Sequence, residues 1–468
     1  MVFSSLTFLC IFLPVTFLLS QVIPNTRGRN ALLIVVSVLF YAYGEPVYVL
    51  LVLASTVVNW AFGRAIAGGK ASGGGRAPLT LAVVANLAFL GVFKYADFAV
   101  ATVNSLTGAG LPLPGAALPL GISFYTFQAL SYVIDVWRGE ASGRDPYWKV
   151  LLYISFFPQI IAGPIIKYHD IDEQIDNREV TPQGVALGLR RFCYGLGKKV
   201  LIANTMASAV DALYALDPSS IGAAAAWLAA VAYALQIYFD FSGYSDMAIG
   251  LGHMFGFTIM ENFDYPYASV TIKEFWRRWH ISLSTWFKEY LYIPLGGNRK
   301  GRARAVLNKC IVFLTCGLWH GAAWTFVLWG AIQGAFSLLE EVVPLRRLPR
   351  WLGHVYAMLV VVLSFVVFRA DSLAQAGVMY AAMFGAGATG ADALVPVMEQ
   401  LTPVFLIALA FGLVTCLPVR PALVRASEGT AAEAPLSVLA YVGAIAVLAI
   451  CVLSLAGGAY NPFIYFRF

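Results

Sequence analysis

Charged residues are scarce in this sequence. Asp, Glu, Lys and Arg make up 12% of its 468 residues, which is about half of the share that is usual in soluble globular proteins. Hydrophobic residues make up 60%, and so much apolar side-chain surface excludes an intrinsically disordered chain. A soluble core would not bury this much apolar area either. The composition therefore predicts an integral membrane protein with many spans.

Several motifs of metal-binding, secreted or transport proteins are absent. The six cysteines form no CxxC pair and no Cys/His cluster with metal-ligand spacing, and the five histidines form no HxxxH or HExxH motif. We therefore expect no metal and no bound cofactor. No Asn-x-Ser/Thr sequence occurs, so nothing indicates a glycosylated eukaryotic surface protein. The absence of an internal repeat counts against a transporter built from duplicated halves.

Apolar runs recur along the whole chain without a large soluble interruption. Because one span needs about 20 residues, we expect about ten to twelve spans, with short or Gly/Pro-containing runs forming re-entrant pieces. We treat residues 1–468 as a single all-α, membrane-embedded domain. Its parts are weakly marked, and we place them at 1–166, 167–340 and 341–468.

The small excess of positive charge is a topology signal. The net charge is +6, and most basic residues lie in short segments between apolar runs, as cytoplasmic loops require. We therefore expect membrane lipid around the protein and no nucleic-acid partner. One segment, 167–183, is densely charged and predicts a solvated loop, in which His169 is an ordinary residue.

A long polar and aromatic stretch, 261–304, interrupts the membrane pattern. Apolar residues recur at helical spacing from Ile272 to Tyr290, and this predicts an amphipathic interfacial helix over 270–294. His280 on this helix is either an interface residue with a solvated tip or a candidate acid or base. The basic residues of the helix contact lipid headgroups or bind the phosphates of a donor. Those considered for phosphate binding are Lys273, Arg277 and Arg278.

His320 lies near the middle of the apolar run 305–340, between Gly317 and Gly321. An ionisable residue at membrane depth is costly, and this predicts a functional role. The alternative is a neutral histidine that bonds to a neighbouring helix. The glycines allow another backbone or a ligand to come close.

A third polar cluster, QIYFDFSGYSDM, occupies residues 236–247 of an otherwise apolar run. Its two carboxylates, Asp240 and Asp246, need partners or a water-filled cavity at such a position. They orient a histidine or a substrate, or they satisfy helix ends at a break near Gly243.

Four stretches of the chain resemble the membrane-bound O-acyltransferases (MBOAT). They read FDFSGYSDMAIGLG, ENF with a tyrosine two residues later, EFWRRWHISLSTWFKEYLYIPLGGN, and GLWHGAAWTFVLWG. The likeness is greatest to the bacterial branch that contains the alginate O-acetyltransferase membrane subunit. The opening MVFSS, the segments LPLGISFYTFQALSYVIDVWRG and FPQIIAGPI, and the ending PFIYFRF also fit that branch, so the resemblance extends from Met1 to Phe468.

The resemblance implies a ring of tilted helices around a central tunnel and a catalytic histidine within that tunnel. By position this histidine is His320, and the second polar residue of the family falls on His280. The residues that we expect to line the tunnel or bind substrate are Asp240, Ser242, Asp246, Trp276, Trp279, Trp319 and Asn298.

The resemblance therefore implies an acetyltransferase of the bacterial inner membrane. The donor is acetyl-CoA or another acyl thioester, on CoA or on an acyl carrier protein, and the acceptor is an exported polysaccharide or a periplasmic SGNH-type acetyltransferase. His320, neutral in an apolar setting, would act as general base. His280 would bond to the thioester carbonyl, stabilise the oxyanion or position the donor.

Two other functions remain open at this level. A member of the same family could transfer D-alanine from a carrier protein to a wall polymer. A protein of a different class, a transporter or a scaffold of a polysaccharide secretion complex, would also have many spans and buried polar residues. Only the enzyme would lose thioester turnover when His320 is replaced.

Overall fold

The structure, a computed structural model, describes residues 1–71, 73–343, 345 and 348–464. These residues form helices and loops and contain no β-strand, which confirms the predicted all-α fold. The helices are α1 (Leu13–Val22), α2 (Thr26–Gly44), α3 (Val49–Ala71), α4 (Arg76–Leu90), α5 (Ala96–Thr107), α6 (Ile122–Arg138), α7 (Tyr147–Ser155), α8 (Tyr168–Asn177), α9 (Pro182–Gly197), α10 (Asn204–Tyr214), α11 (Ala223–Met254), α12 (Ile272–Arg278), α13 (Ile281–Phe287), α14 (Arg302–His320), α15 (Trp324–Val342), α16 (Arg350–Arg369), α17 (Leu373–Ala381), α18 (Val395–Gln400), α19 (Pro403–Thr415), α20 (Val419–Ser427) and α21 (Glu433–Ala456).

The chain folds into two compact units. The first contains Met1–Phe192 and Met247–Met260, and the second contains Cys193–Asp246 and Glu261–Phe468. Helices α9 and α11 have residues in both units. The single-domain description and its three parts remain a prediction.

Within the described residues, five helical segments are long and apolar enough to cross a membrane, or six if a bent pair counts as one span. This supports a multi-pass membrane protein, but the number is lower than the ten to twelve spans that the apolar runs predict. Several apolar runs form helices that are too short to span, such as α7 and α10. Others, such as α14 and α15, have 19 residues but are not apolar enough. The qualifying segments are Val49–Ala71, Arg76–Thr107, Ala223–Met254, Arg350–Arg369 and Glu433–Ala456, and the bent pair is Asp392–Gln400 with Pro403–Thr415.

Helix α8 occupies the segment that the sequence predicts as a solvated loop, so that prediction was wrong. Tyr168, Ile171 and Ile175 are buried on one side of it. Their spacing of three and four residues forms an apolar stripe among the charges. The neighbouring His169 lies 2.9 Å from Asp135 of α6 and 3.3 Å from Asp170.

Helices α14 and α15 form a tightly packed hairpin in the second unit. A Cβ atom on Gly317 of α14 would lie 2.3 Å from the carbonyl oxygen of Phe326, and one on Gly330 of α15 would lie 2.4 Å from that of Phe313. The two backbones are therefore in direct contact. This contact fixes the end of α14, where His320 is the last helical residue.

Candidate active site

Aromatic rings enclose His320. Its imidazole centroid lies 5.0 Å from Trp319, 5.1 Å from Trp329 of α15 and 5.3 Å from Phe368 of α16. The residue is 6% exposed. Edge-to-face contacts of this kind hold a ring in one orientation. The two glycines near His320 are explained by the α14–α15 contact and by Phe326, whose ring would lie 2.1 Å from a Cβ on Gly321.

His280 does not lie within a helix. The predicted continuous helix over 270–294 was wrong, because α12 ends at Arg278 and α13 begins at Ile281. His280 lies at the break with φ of 44°, a left-handed conformation that is uncommon for residues other than glycine. Its side chain is fully buried.

The segment that follows α11 causes this break. The carbonyl of Asn262 accepts a hydrogen bond from the N–H of Ile281 at 2.9 Å, and the N–H of Asp264 donates to the carbonyl of Arg278 at 2.9 Å. These backbone groups would otherwise bond within one continuous helix. The apolar residues recur as the sequence predicts, but the segment containing Asn262 and Asp264 bonds to the backbone on both sides of His280 and interrupts the helix.

A threonine hydroxyl and a carboxylate fix the beginning of α12. Thr271 caps the helix by accepting from the N–H of Glu274 at 3.0 Å. Glu340 of α15 accepts from the N–H groups of Ile272 and Lys273, and a negative charge is favourable at a helix N-terminus. The chain before His280 is thus attached to the same hairpin that carries His320.

Asn262 holds the His280 ring. Its side-chain oxygen lies 3.2 Å from Nδ1 of His280 and accepts from the hydroxyl of Ser282 at 2.9 Å and from its N–H at 3.2 Å. Its side-chain nitrogen donates to Ser245 of α11 at 3.0 Å. Sequence reasoning assigned no role to Asn262, although the residue belongs to the ENF stretch that carries the resemblance.

These contacts determine the tautomer of His280. The N–H of Ser282 requires an acceptor, so the atom of Asn262 that faces it is the oxygen. The same oxygen lies 3.2 Å from Nδ1 of His280, closer than the hydroxyl of Ser282 at 3.5 Å, so we assign the hydrogen of the neutral ring to Nδ1. Burial lowers the pKa of His280 well below its usual value, and His320 acts in the same direction. The ring is neutral, with Nε2 buried and without a hydrogen-bond partner among the described residues.

The two histidines are neighbours. Their ring centroids are 6.4 Å apart, and Trp319 lies 5.9 Å from His280. A small apolar cavity reaches His320, with space for about one water molecule. The predicted tunnel across the membrane remains a prediction. The cavity is lined by Ile237, Phe241, Trp279, His320, Trp329, Phe365, Phe368 and Ile464.

The carboxylates of α11 form ion pairs with lysines. Asp240 lies 2.6 Å from Lys199, and Asp246 lies 2.6 Å from Lys198. Helix α11 is continuous through Gly243, so the suggested helix break was wrong. Ser242 is buried, but the serine of this helix that bonds to the histidine network is Ser245.

The predicted aromatic residues are near the site, whereas Asn298 is not. Trp279 lines the cavity and Trp319 contacts both histidines. Trp276 donates to Gln333 at 3.0 Å and packs against Trp329, so it supports the cavity from outside. Asn298 is exposed and accepts from the hydroxyl of Tyr292.

The basic residues of α12 differ in their surroundings. Arg278 pairs with Glu274 at 3.0 Å, and Lys273 pairs with Glu341 at 3.4 Å. Arg277 is exposed. Of the three cations, Arg277 therefore has the most accessible charge for a phosphate or a lipid headgroup.

Comparison with known proteins indicates the family of the chain. The chain matches the family model of MBOAT, the membrane-bound O-acyltransferase family, over residues 125–376. It is 40% identical to the probable alginate O-acetylase AlgI of Azotobacter vinelandii over 100% of both chains. It is 36% identical to the peptidoglycan O-acetyltransferase of Helicobacter pylori over 80% of this chain and 78% of that protein. It is 29% identical to the teichoic acid D-alanyltransferase of Bacillus subtilis over 45% of this chain and 56% of that protein.

The helical fold and these similarities define a multi-pass membrane enzyme that transfers acyl groups to oxygen. The chain belongs to the membrane-bound O-acyltransferase family, which confirms the resemblance found in the sequence.

Proposed function

We propose that the protein transfers an acetyl group from a cytosolic thioester toward hydroxyls of an exported polysaccharide, directly or through a periplasmic transferase. The observation that carries this proposal is the pair of buried histidines at an apolar cavity in the second unit. The similarity to alginate and peptidoglycan acetylating proteins supports acetyl as the group and a polymer as the final acceptor. A location in the bacterial inner membrane follows from the need to reach both a cytosolic donor and an external acceptor.

His320 acts as the general base in this proposal. The acceptor hydroxyl attacks the thioester carbonyl carbon while His320 takes the hydroxyl proton. The tetrahedral intermediate then collapses, the carbon–sulfur bond breaks, and the imidazolium returns the proton to the leaving thiolate. General-base help of this kind is worth about 10²–10⁴-fold. No resident metal or cofactor is required for this sequence of steps.

The tautomer of His280 narrows the roles that we propose for it. A carbonyl or an oxyanion needs a hydrogen-bond donor, but Nε2 of neutral His280 is an acceptor because Nδ1 carries the hydrogen. We therefore assign His280 to positioning of the donor. The pantetheine arm of CoA or of a carrier protein contains amide N–H groups that such an acceptor can bind.

Thioester turnover by the purified protein in nanodiscs tests the proposal. Labelled acetyl-CoA and an acetylated carrier protein are offered to the wild type, His320→Ala, His280→Ala and His354→Ala at equal folded amounts. We expect a loss of at least about 100-fold in His320→Ala. His354 is the matched control, because its ring contacts the carbonyl of Ser269 and it is not among the described residues that line the cavity. Equal turnover in the wild type and His320→Ala would overturn the mechanism.

The similarity to a teichoic acid D-alanyltransferase supports a second candidate, transfer of D-alanine from a carrier protein to a wall polymer. Its match covers less than half of this chain, whereas the alginate O-acetylase match covers all of it. A D-alanyl carrier protein in the same assay distinguishes the two. Turnover of the D-alanyl thioester alone would favour this second candidate.

A further inference from the structure

The chain after α21 runs as an extended segment to the histidine cavity. This C-terminal segment, residues 459–464, has no helix of its own before Ile464. Ile464 is 3% exposed, and it lines the cavity together with His320. A terminal segment at such a place needs attachments, since an extended chain without them would lose its order.

Side chains of the second unit attach the segment at successive residues. The hydroxyl of Tyr460 donates to Asp211 at 2.7 Å, and Asn204 donates to the side chain of Asn461 at 3.1 Å. A further donor, the Lys199 ammonium, bonds to the carbonyl of Pro462. Each attachment comes from a polar group on α10 or in the helical turn before it.

The last attachment involves a buried ion pair. The N–H of Ile464 donates to Asp240 at 2.8 Å, and the same carboxylate pairs with Lys199 at 2.6 Å. Both side chains of this pair are less than 5% exposed. A buried ion pair is rarely retained for stability alone, because desolvation of the two charges offsets their attraction. Here each partner also bonds to the backbone of the C-terminal segment, and this gives the pair a structural task.

We propose that Lys199 and Asp240 are a positioning pair for the C-terminal segment, and that Ile464 limits the length of the acyl group that reaches His320. The cavity has space for about one water molecule, and Ile464 occupies one of its walls. An acetyl group needs little more room than this, whereas a butyryl group has two further carbons. The inference rests on the proposed function, because it names a specificity residue of the same site.

The acyl preference of wall variants tests the specificity part. Acetyl, propionyl and butyryl thioesters are offered on the carrier that the wild type accepts. Ile464→Ala removes three carbons from the wall, and we expect the ratio of butyryl to acetyl turnover to rise about tenfold or more. Ile237→Ala opens another wall of the cavity and is expected to act in the same direction. Ile445→Ala is the matched control, since Ile445 is 69% exposed on α21.

Hydrogen exchange of the C-terminal segment tests the positioning part. The double variant Lys199→Met/Asp240→Asn removes both charges without leaving one unpaired, and we expect faster exchange of the Ile464 amide together with a broader acyl preference. Lys198→Met/Asp246→Asn is the matched control for exchange, because it removes a neighbouring ion pair with the same 2.6 Å distance.

The outcomes separate this inference from the proposed function. One outcome would overturn the specificity role alone. In it, turnover by the wild type requires His320, but the ratio of butyryl to acetyl turnover is unchanged in folded Ile464→Ala and Ile237→Ala. Unchanged exchange in the double variant would overturn the positioning role. If Ile464→Ala does not fold, Ile464→Val is used with the propionyl thioester, and an unchanged ratio there has the same meaning. Absence of turnover by the wild type on every carrier would overturn the proposed function and this inference with it.

Discussion

At the scale of single residues, the orientation of the His280 ring depends on a side chain to which sequence analysis assigned no role. Asn262 is an uncharged residue in a loop, and its partner His280 lies 18 residues away. Through one oxygen it bonds to the ring, to the hydroxyl and to the backbone of the following helix. Asn262 therefore holds the tautomer of His280, whereas burial keeps the ring neutral by lowering its pKa.

Replacement of this asparagine tests that dependence. We expect Asn262→Ala to reduce thioester turnover to the level of His280→Ala, because the ring loses the acceptor that holds its tautomer. The free energy of unfolding should fall by about 1–3 kcal/mol, the usual cost of leaving buried donors unsatisfied. Asn298→Ala is the control, since Asn298 is exposed. Full turnover in Asn262→Ala would show that the tautomer does not matter.

His169 makes a pH-dependent contribution to stability in the first unit. Hydrogen bonds to Asp135 and then to Asp170 raise the pKa of His169 to about 10. Because this pKa is higher than in the unfolded chain, the stabilisation is complete below about pH 6.5 and is lost as the pH rises toward 10. Glu140, at 3.6 Å, adds to the negative surroundings.

The change His169→Gln should therefore destabilise the protein at pH 6 by about 1–3 kcal/mol, which is typical of a hydrogen bond to a charged group. The difference from the wild type should disappear near pH 10.5. Thermal unfolding of the wild type and of His169→Gln in detergent between pH 6 and about pH 10.5 measures this difference in stability. A difference that is constant with pH would show that His169 acts by packing rather than by its charge.

At the scale of elements, the α14–α15 hairpin determines where His320 lies. The contact at Gly317 leaves no room for a side chain, as the 2.3 Å distance from its Cβ position to Phe326 shows. The glycine is thus explained by helix packing, whereas the sequence allowed the close approach of either another backbone or a ligand.

We expect Gly317→Ala to separate the two helices and to displace His320. Overpacking typically costs about 1–3 kcal/mol, and turnover should fall together with the melting temperature. Gly377→Ala on α17 is the matched control, because no atom lies within 4 Å of its Cβ position and alanine favours a helix interior. Normal turnover in Gly317→Ala would contradict the close approach of the two helices.

At the scale of the whole molecule, the exposed apolar surface is explained by a membrane. The most apolar 18-residue stretch of helix α21 has a mean hydropathy of 2.7, and only 11% of that stretch is buried inside the protein. Side chains such as Ile445, 69% exposed, would destabilise a water-soluble protein. In a membrane they face lipid.

A charge on this surface should oppose insertion. Ile445→Asp places a carboxylate near the middle of α21, where it costs about 2.5–3.5 kcal/mol. We expect a lower fraction of inserted protein, measured by alkali extraction of membranes from cells that express it. Ala432→Asp, in the exposed turn before α21, should insert normally. Equal insertion of both variants would argue that α21 does not face lipid.

Hydrophobic composition indicated the helical membrane fold, and the resemblance of local motifs to a known family indicated that family and the choice of His320 and His280, because these signals are local in the chain. The tertiary structure alone decided the break at His280, the role of Asn262, the pairing of Asp240 with Lys199 and the position of Ile464 at the cavity. Each of these depends on a hydrogen-bond or ion-pair partner that lies remote in sequence, up to 224 residues away for Ile464 and Asp240. Every buried polar group needs a hydrogen-bond partner, but the periodicity of the sequence does not identify which residue that partner is.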